Sequence, residues 1–142
     1  MVKKFFPAGV LALCLSLCGC TARYDPQSAQ KAQEAAQEYL QYIDNGKYGE
    51  SWDNAGKYFR QTVTREDWEK SLKTSRAPLG KVVSRGLRAR QFTNFIPGAP
   101  RAKYVTLTFR TSYSDSKANI VEIVTVLKDF DGKWKVVGFF IL

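Results

Sequence analysis

The sequence predicts an α+β domain in which helices precede an antiparallel sheet. Between residues 26 and 75, apolar residues recur every three or four positions, which is the spacing of one face of a helix. From Lys81 onward apolar and polar residues alternate, as in strands with one buried face. Pairs such as Asn45-Gly46 and Asp131-Gly132 mark turns between these segments. We therefore expect three N-terminal helices packed on one face of a curved four-stranded antiparallel sheet.

The first helix is expected to begin at Asp25, a residue type that caps helix N-termini, with Pro26 in the first helical position. Its apolar stripe stops before Asn45-Gly46, a pair that favours helix termination. The residues of this stripe are Ala29, Ala32, Ala36, Tyr39, Leu40 and Ile43. Polar residues fill the opposite face, so the segment predicts an amphipathic helix.

Two shorter helices follow in the prediction. The second covers residues 48–59 and is weakened by Gly49 and Gly56, because glycine disfavours helix interiors. The third begins at Thr64, where Asp67 can return the capping contact, and ends at about residue 75, before a proline. These segments complete the helical half of the chain.

The first strand is predicted over residues 81–94 and is basic. Strict alternation places Arg88 and Arg90 on one face and Arg85 on the other, so two of the three arginines could bind an anion together. A solvated strand face is the alternative interpretation. The apolar residues expected to share one face are Val83, Leu87 and Ala89.

Three further strands complete the predicted sheet. A loop rich in proline and glycine over residues 95–100 leads to a strand in which Val105, Leu107 and Phe109 alternate with polar residues. Residues 120–127 form a run rich in β-branched residues, and residues 134–142 form the last strand. Asp129 and Asp131 offer too few oxygens for calcium, so we interpret them as part of the hairpin turn between these two strands.

The N-terminal segment differs from the rest of the chain. Lys3 and Lys4 precede an apolar run over residues 5–17, which is shorter than the roughly 20 residues of a membrane-spanning helix. Leu17-Cys18-Gly19-Cys20 ends this run. The pattern resembles a bacterial lipoprotein signal, in which Cys20 becomes the acylated first residue of the mature protein. We therefore divide the chain into a signal peptide (1–19), a lipidated N-terminus with a short tether (20–24) and one domain (25–142).

The same resemblance implies a cellular location. Thr21 follows Cys20, whereas an aspartate there would, by resemblance to Gram-negative lipoproteins, signal retention in the inner membrane. We expect a protein held by its lipid on the membrane of the cell envelope, on the outer membrane and facing the periplasm.

Composition excludes several chemistries. All three cysteines lie within residues 1–20, and the sequence contains no histidine. Acylation of Cys20 would leave the domain without a thiol, so cysteine nucleophiles, zinc enzymes and Ser-His-Asp hydrolases are excluded. We expect neither a metal nor a cofactor. The formal charge of +9 favours an anionic component of the envelope as partner, with a merely solvated basic surface as the alternative, and nucleic acid is not expected for an exported protein.

Several motifs along the mature chain resemble an uncharacterised family of bacterial lipoproteins, domain of unknown function 4019. They are Gly46–Trp52, Trp68, Arg76–Gly80, Ser84-Arg85, Pro97–Pro100, Glu122 with Thr125, Asp131–Trp134 and Val137–Ile141. Arg101-Ala102 departs from the acidic-glycine turn usual after the Pro-Gly-x-Pro loop. The resemblance implies a layout similar to the cone of nuclear transport factor 2-like (cystatin-like) proteins. That fold hosts enzymes and binding modules alike, so it does not decide function.

Glu122 is the one carboxylate expected to be buried within a strand, since it lies in an apolar run. It could act as an acid or base, as in the ketosteroid-isomerase-like members of the resembled fold, or it could form an ion pair with Arg85 or Arg110. Trp52, Tyr58 and Trp68 could line a small pocket with these three residues, and the alternative is that the aromatic residues belong to the core.

The last two strands are expected to be apolar on both faces, and in the final one Val136 and Phe140 alternate with Val137, Phe139 and Ile141. Helices on one face of the sheet leave the other uncovered, so we predict a homodimer or a partner protein on the outer face. Together these observations favour a non-enzymatic binding or interaction module of the envelope. The alternative is a small-molecule enzyme or ligand carrier that uses Glu122 as its acid/base.

Overall fold

The computed structural model describes residues 25–142. The predicted signal peptide, Cys20 with its predicted acylation, and the predicted tether lie outside the described residues. The elements are the helices α1 (Pro26–Asp44), α2 (Tyr48–Asn54), α3 (Lys57–Thr62) and α4 (Arg65–Ser75), a 3-10 turn (Ala77–Leu79), and the strands β1 (Val82–Thr93), β2 (Tyr104–Tyr113), β3 (Ile120–Lys128) and β4 (Trp134–Ile141). The α+β class and the order of helices before strands are confirmed.

Helix α1 begins and ends where the sequence predicts. The carboxylate of Asp25 accepts hydrogen bonds from the backbone N–H groups of Gln27 and Ser28, which satisfies two donors that the first helical turn leaves free. At the other end Gly46 adopts a φ of +71°, a left-handed conformation that favours glycine. All six residues of the predicted apolar stripe are buried. The prediction for this helix is confirmed.

The predicted second helix is wrong, because the chain breaks into α2 and α3 at Ala55 and Gly56. Both residues are extended, and the N–H of Gly56 donates to the carbonyl of Val136 on β4 at 2.7 Å. A Cβ at position 56 would lie 2.8 Å from Cγ1 of Val137, so only glycine allows this close approach to the strand. The described part of the chain therefore has four α-helices and not three.

The four strands form one antiparallel sheet in the order β1-β2-β3-β4. The hairpin between β3 and β4 turns at Gly132, whose φ is +79°, and the Asp131 carboxylate accepts a hydrogen bond from the Lys133 N–H at 2.9 Å. The helices pack on one face of the sheet, with α1 against β2, β3 and β4 and α3 against β4. The core between the two layers is built from α1, α2, α3 and α4 on one side and from inward residues of the strands, such as Leu107 and Val124, on the other.

Strand β1 departs from strict alternation at a bulge. Leu87 pairs with Phe109, and Ala89 pairs with Thr108, which adjoins Phe109 in β2. Arg88 is therefore an extra residue in β1. One extra residue exchanges the two faces of the strand beyond it. Leu87 therefore packs against the core, whereas Ala89 is exposed. A second irregularity near Val83 leaves that side chain 70% exposed. The predicted shared face of these three residues is wrong.

The bulge also changes which arginines share a face. Arg85, before the bulge, bonds Asp44 of α1, and Arg90, after it, bonds Gln33 of the same helix. The prediction that Arg90 faces away from Arg85 is therefore wrong. Arg88 is exposed at the bulge itself.

Candidate functional site

Glu122 of β3 is fully buried, with 0% of its surface exposed. Its Oε2 atom accepts a hydrogen bond from Nε of Arg85 at 2.6 Å, and its Oε1 atom accepts one from Nη2 of Arg85 at 3.1 Å. The hydroxyl groups of Thr111 and Tyr113 on β2 donate two more. The carboxylate thus has four donors, two of which are charge-assisted hydrogen bonds from one guanidinium.

Asp44, the last residue of α1, binds the same guanidinium from the other side. Its Oδ2 atom lies 2.7 Å from Nη1 of Arg85, and its Oδ1 atom lies 2.9 Å from Nη2. A second arginine, Arg76, donates to Oδ1 at 3.2 Å. Arg85 is therefore held between two carboxylates, one from the sheet and one from a helix.

Arg76 extends this arrangement to the turn that follows α4. Its side chain is buried, Nη1 donates to the carbonyl of Gly80 at 2.7 Å, and its guanidinium lies 4.3 Å from the ring centre of Tyr113. The φ of Gly80 is +78°, so the glycine in this turn is required by the backbone. We call Asp44, Arg76, Arg85, Thr111, Tyr113 and Glu122 the buried ion-pair cluster. Its two arginines and two carboxylates balance in formal charge.

The electrostatics of the cluster fix the protonation states of Arg85 and Tyr113. Burial alone would lower the pKa of Arg85, but its hydrogen bonds to Asp44 and Glu122 and their negative charges raise that pKa above its usual value. Burial, and then the hydrogen bond to Glu122, raise the pKa of the Tyr113 hydroxyl. The arginine stays charged and the tyrosine stays protonated over the physiological range. Such a cluster links structural elements and offers no free proton acceptor.

Two of the predicted pocket residues belong to the core. Trp68 is buried between Phe59 and Phe139, with ring centres at 5.0 and 6.3 Å in edge-to-face contact, and its Nε1 donates to Oγ of Ser51 at 2.9 Å. Trp52 packs against the same core, and its Nε1 donates to the carbonyl of Val63 at 2.7 Å. Both indole N–H groups are satisfied within the protein, as packing residues require.

The six predicted pocket residues do not meet at one place. Arg85 and Glu122 lie in the buried ion-pair cluster, and the two tryptophans lie in the core. Arg110 is exposed and follows the alternation that places its neighbour Phe109 inward, so it lies on the outer face of the sheet. Tyr58 lies beside a surface cleft, where its hydroxyl donates to the carbonyl of Gly98 at 2.8 Å.

That cleft, which we call the α3 cleft, lies between α3, residues 100–102 and the end of β3. Its volume is about 390 Å³. Apolar side chains such as Leu127 and Val137 contribute to its lining, and Lys57, Arg101 and Lys128 contribute positive charge. Of the predicted pocket residues, Tyr58 alone lines it. Phe130, which also lines the α3 cleft, could have indicated this site from the sequence. It lies between two aspartates of a turn, where an aromatic side chain cannot reach the core.

The outer face of the sheet is less apolar than its sequence suggested. Threonine and serine residues occupy much of β2 on this side, and a register irregularity at Val137 leaves Phe140 as the large apolar residue of β4 that faces outward. Phe140 is 60% exposed and pairs with Ile123 of β3. The apolar patch is thus confined to these two residues and their neighbours Val121 and Leu142.

Two absences among residues 25–142 bear on the candidate sites. Within this range, no group of three or more histidine, cysteine, aspartate or glutamate side chains is placed to hold a metal ion. Over the same residues, no helix is both long enough and apolar enough to cross a membrane.

The fold and the cluster define a small α+β domain whose charged interior joins α1 to the sheet. The model of the family described as "Protein of unknown function (DUF4019)" matches residues 35–139, which include the second half of α1 and nearly all of the sheet. The chain belongs to this family, so the predicted membership of domain of unknown function 4019 is confirmed. A search of curated proteins gives no match.

Proposed function

We propose that this protein is a non-enzymatic binding module of the bacterial cell envelope, anchored through an acylated Cys20, with the α3 cleft as its ligand site. The observation that carries the binding role is the contrast between the two candidate sites. The α3 cleft is open to solvent, whereas the buried ion-pair cluster is closed. A ligand can reach the first without rearrangement of the fold.

The chemistry of the α3 cleft suits a ligand with an apolar body and a negative group. Leu127, Val137 and Ala102 offer apolar surface, and the cationic side chains of Lys57, Arg101 and Lys128 are near enough to line the same space. A cleft of this size, apolar with a few polar groups, is typical of small-molecule sites. The excess of cationic side chains selects against positively charged ligands.

The contacts of Glu122 argue against the enzyme alternative. A general base must come within hydrogen-bond reach of the proton that it removes. Glu122 has no exposed surface, and its oxygens already accept hydrogen bonds from Arg85, Thr111 and Tyr113. Catalysis would require the loss of several of these bonds, so the side chain is better suited to joining β1 with β3.

The envelope location is supported by the sequence, through the apolar run over residues 5–17 and the Leu17–Cys20 motif. We further propose the outer membrane as the site of anchoring, with the domain facing the periplasm. The layout of helices on one face of an antiparallel sheet supports likeness to the nuclear transport factor 2-like cone. Partners would then be sought among ligands and proteins of the envelope.

Metabolic labelling tests the anchor. Cells that express the protein are grown with radioactive palmitate, and the protein is precipitated and compared with the Cys20→Ser variant. We expect label on the natural protein and none on the variant. The absence of label from both would overturn the anchoring.

A fluorescent probe tests the α3 cleft. We use residues 20–142 carrying Cys20→Ser, and titrate with 1-anilinonaphthalene-8-sulfonate, an anionic aromatic molecule. Ala102→Trp fills the cleft and should weaken binding about tenfold or more, whereas Ala118→Trp, at an exposed turn, should not. Equal binding by all three proteins would exclude the cleft as the site.

A further inference from the structure

The chain enters the described domain at the same end of the sheet as two loops. The loop 94–103 joins β1 to β2, and the turn 129–133 joins β3 to β4. Asp25, at the start of α1, shares a surface depression with Asn94, Lys103 and Trp134. We call this end of the domain, formed by Asp25, the loop 94–103 and the turn 129–133, the entry end.

Two large apolar side chains stand in solvent at the entry end. Phe130 is fully exposed at the turn 129–133, and Phe95 is 56% exposed in the loop 94–103. They belong to one continuous surface, since Arg101 lies 5.9 Å from the Phe95 ring and also lines the α3 cleft together with Phe130. Leaving two phenylalanines exposed is costly in water, and such patches usually mark an interaction site.

Cationic side chains surround these rings. They are Lys57, Arg101, Lys103, Lys128 and Lys133. The acidic residues at this end are Asp25, Asp129 and Asp131. Asp25 is occupied in capping α1, and Asp131 lies 3.9 Å from Lys133. The entry end therefore carries a net positive charge around an aromatic patch. Aromatic residues beside lysines and arginines are the composition that binds the interface of an anionic bilayer.

The length of the preceding segment limits the distance between this surface and the membrane. Five steps of the chain separate Cys20 from Asp25, and a fully extended chain spans about 3.3–3.6 Å per residue. With Cys20 in the bilayer, Asp25 lies within about 18 Å of the membrane surface. The loops beside Asp25 are then the part of the domain closest to the lipid headgroups.

We propose that the entry end is a membrane-docking surface that inserts Phe95 and Phe130 into the interface of an anionic phospholipid bilayer. This inference rests on the proposed anchoring through Cys20. The lysines contact the negative headgroups, and the two phenylalanine rings enter the boundary between headgroups and acyl chains. The lipid anchor and the docking surface then bind together, and the domain takes one orientation on the membrane.

The first experiment measures insertion with the lipidated protein. It is reconstituted into vesicles of phosphatidylglycerol and phosphatidylethanolamine, with and without bromine on the acyl chains, which quenches nearby tryptophan. Phe130→Trp should show quenching beyond that of the natural protein. Phe140→Trp, at a position 60% exposed on the outer face of the sheet, should not. Equal quenching of the two variants, or none of either, would overturn the proposal.

The second experiment removes the anchor, so that failure of docking and failure of anchoring are distinguished. Residues 20–142 with Cys20→Ser are sedimented with vesicles at millimolar lipid. We expect partitioning into vesicles with phosphatidylglycerol, reduced about tenfold or more by the double variant Phe95→Ser/Phe130→Ser. Val83→Ser/Phe140→Ser removes two exposed apolar residues elsewhere and should leave partitioning unchanged. Palmitate labelling of Cys20 is independent of this result.

Charge variants test the role of the headgroups. Lys103→Glu/Lys133→Glu should lower partitioning about fivefold or more per lysine, while Lys81→Glu/Lys117→Glu, at the opposite end, should have a small effect. Circular dichroism and thermal unfolding confirm that each variant is folded. Binding of monomeric short-chain phosphatidylglycerol without binding of vesicles would assign these residues to the α3 cleft and overturn the docking surface.

Discussion

Arg85 of β1 and Glu122 of β3 are joined by two hydrogen bonds, although β2 lies between their strands. The two side chains meet above the sheet, where Thr111 of β2 contributes its hydroxyl. Asp44 binds the same guanidinium from α1. One arginine thus connects the helical layer to two strands. The stability of the interior depends on the pairing of this positive charge with Asp44 on one side and Glu122 on the other.

Neutralisation of Glu122 should strongly destabilise the fold. Glu122→Gln leaves Arg85 with one carboxylate and turns an amide N–H₂ toward groups that donate hydrogen bonds, so we expect a loss of about 3–5 kcal/mol in the free energy of unfolding. Urea denaturation followed by circular dichroism measures it. Arg85→Met combined with Glu122→Gln should cost less than the sum of the single variants. A single-variant loss below about 1 kcal/mol would contradict the pairing.

The cluster also predicts an alkaline limit to stability. The pKa of Tyr113 is raised in the folded protein, so both states hold the proton below about pH 10. Above that pH the unfolded chain loses the proton first, and stability falls until the folded pKa is passed. Tyr113→Phe should reduce the free energy of unfolding at neutral pH. Above pH 10 that free energy should fall less steeply in the variant than in the natural protein, by up to about 1.4 kcal/mol per pH unit, because one titrating proton is removed. An unchanged slope in denaturation series at several alkaline pH values would refute this.

Gly56 is predicted to tolerate no side chain. The Cβ of Gly56→Ala would lie 2.8 Å from Cγ1 of Val137 and 3.3 Å from the Val136 carbonyl oxygen, so α3 must move away from β4. We expect a loss of about 1–3 kcal/mol in thermal or urea unfolding. Gly86→Ala is the matched control, because its Cβ would meet no atom within 4 Å. Equal stability of the two variants would show that α3 does not depend on this contact.

We predict that the outer face of the sheet is the surface through which the protein self-associates. The exposed ring of Phe140 beside Ile123 is the place where a second copy would bury apolar surface. Sedimentation velocity of residues 20–142 with Cys20→Ser should show a dimer at high concentration, and Phe140→Asp should shift it to a monomer. Val83→Asp, at an equally exposed apolar position of β1, should not. A natural protein that is monomeric at all concentrations would exclude this homodimer.

Local sequence signals predicted most of the fold. Asp25 and Pro26 started α1, Thr64 capped α4 through the N–H of Asp67, and period-two alternation identified β2. These signals work because capping and alternation depend on neighbours along the chain. They therefore hold before any tertiary contact is known.

The errors arose where a distant contact decides local structure. The break at Gly56 depends on the carbonyl of Val136, eighty residues away, and the bulge at Arg88 depends on the pairing of β1 with β2. The cluster was half predicted: an ion pair of Glu122 with Arg85 was one of the two alternatives, whereas Asp44 and the burial of Arg76 were missed. Neither of these two residues lies in an apolar run, which was the signal that identified Glu122.

The packing of α1 affects the order in which the elements of the chain can fold during synthesis. The apolar stripe of α1 is completed by β3 and β4, which are the last elements of the sheet to be synthesised. A nascent chain that ends before residue 120 can form hairpin β1–β2 but cannot close the interior over α1. The face of α1 that packs on β3 and β4 therefore remains uncovered by these strands until nearly the whole domain has been synthesised.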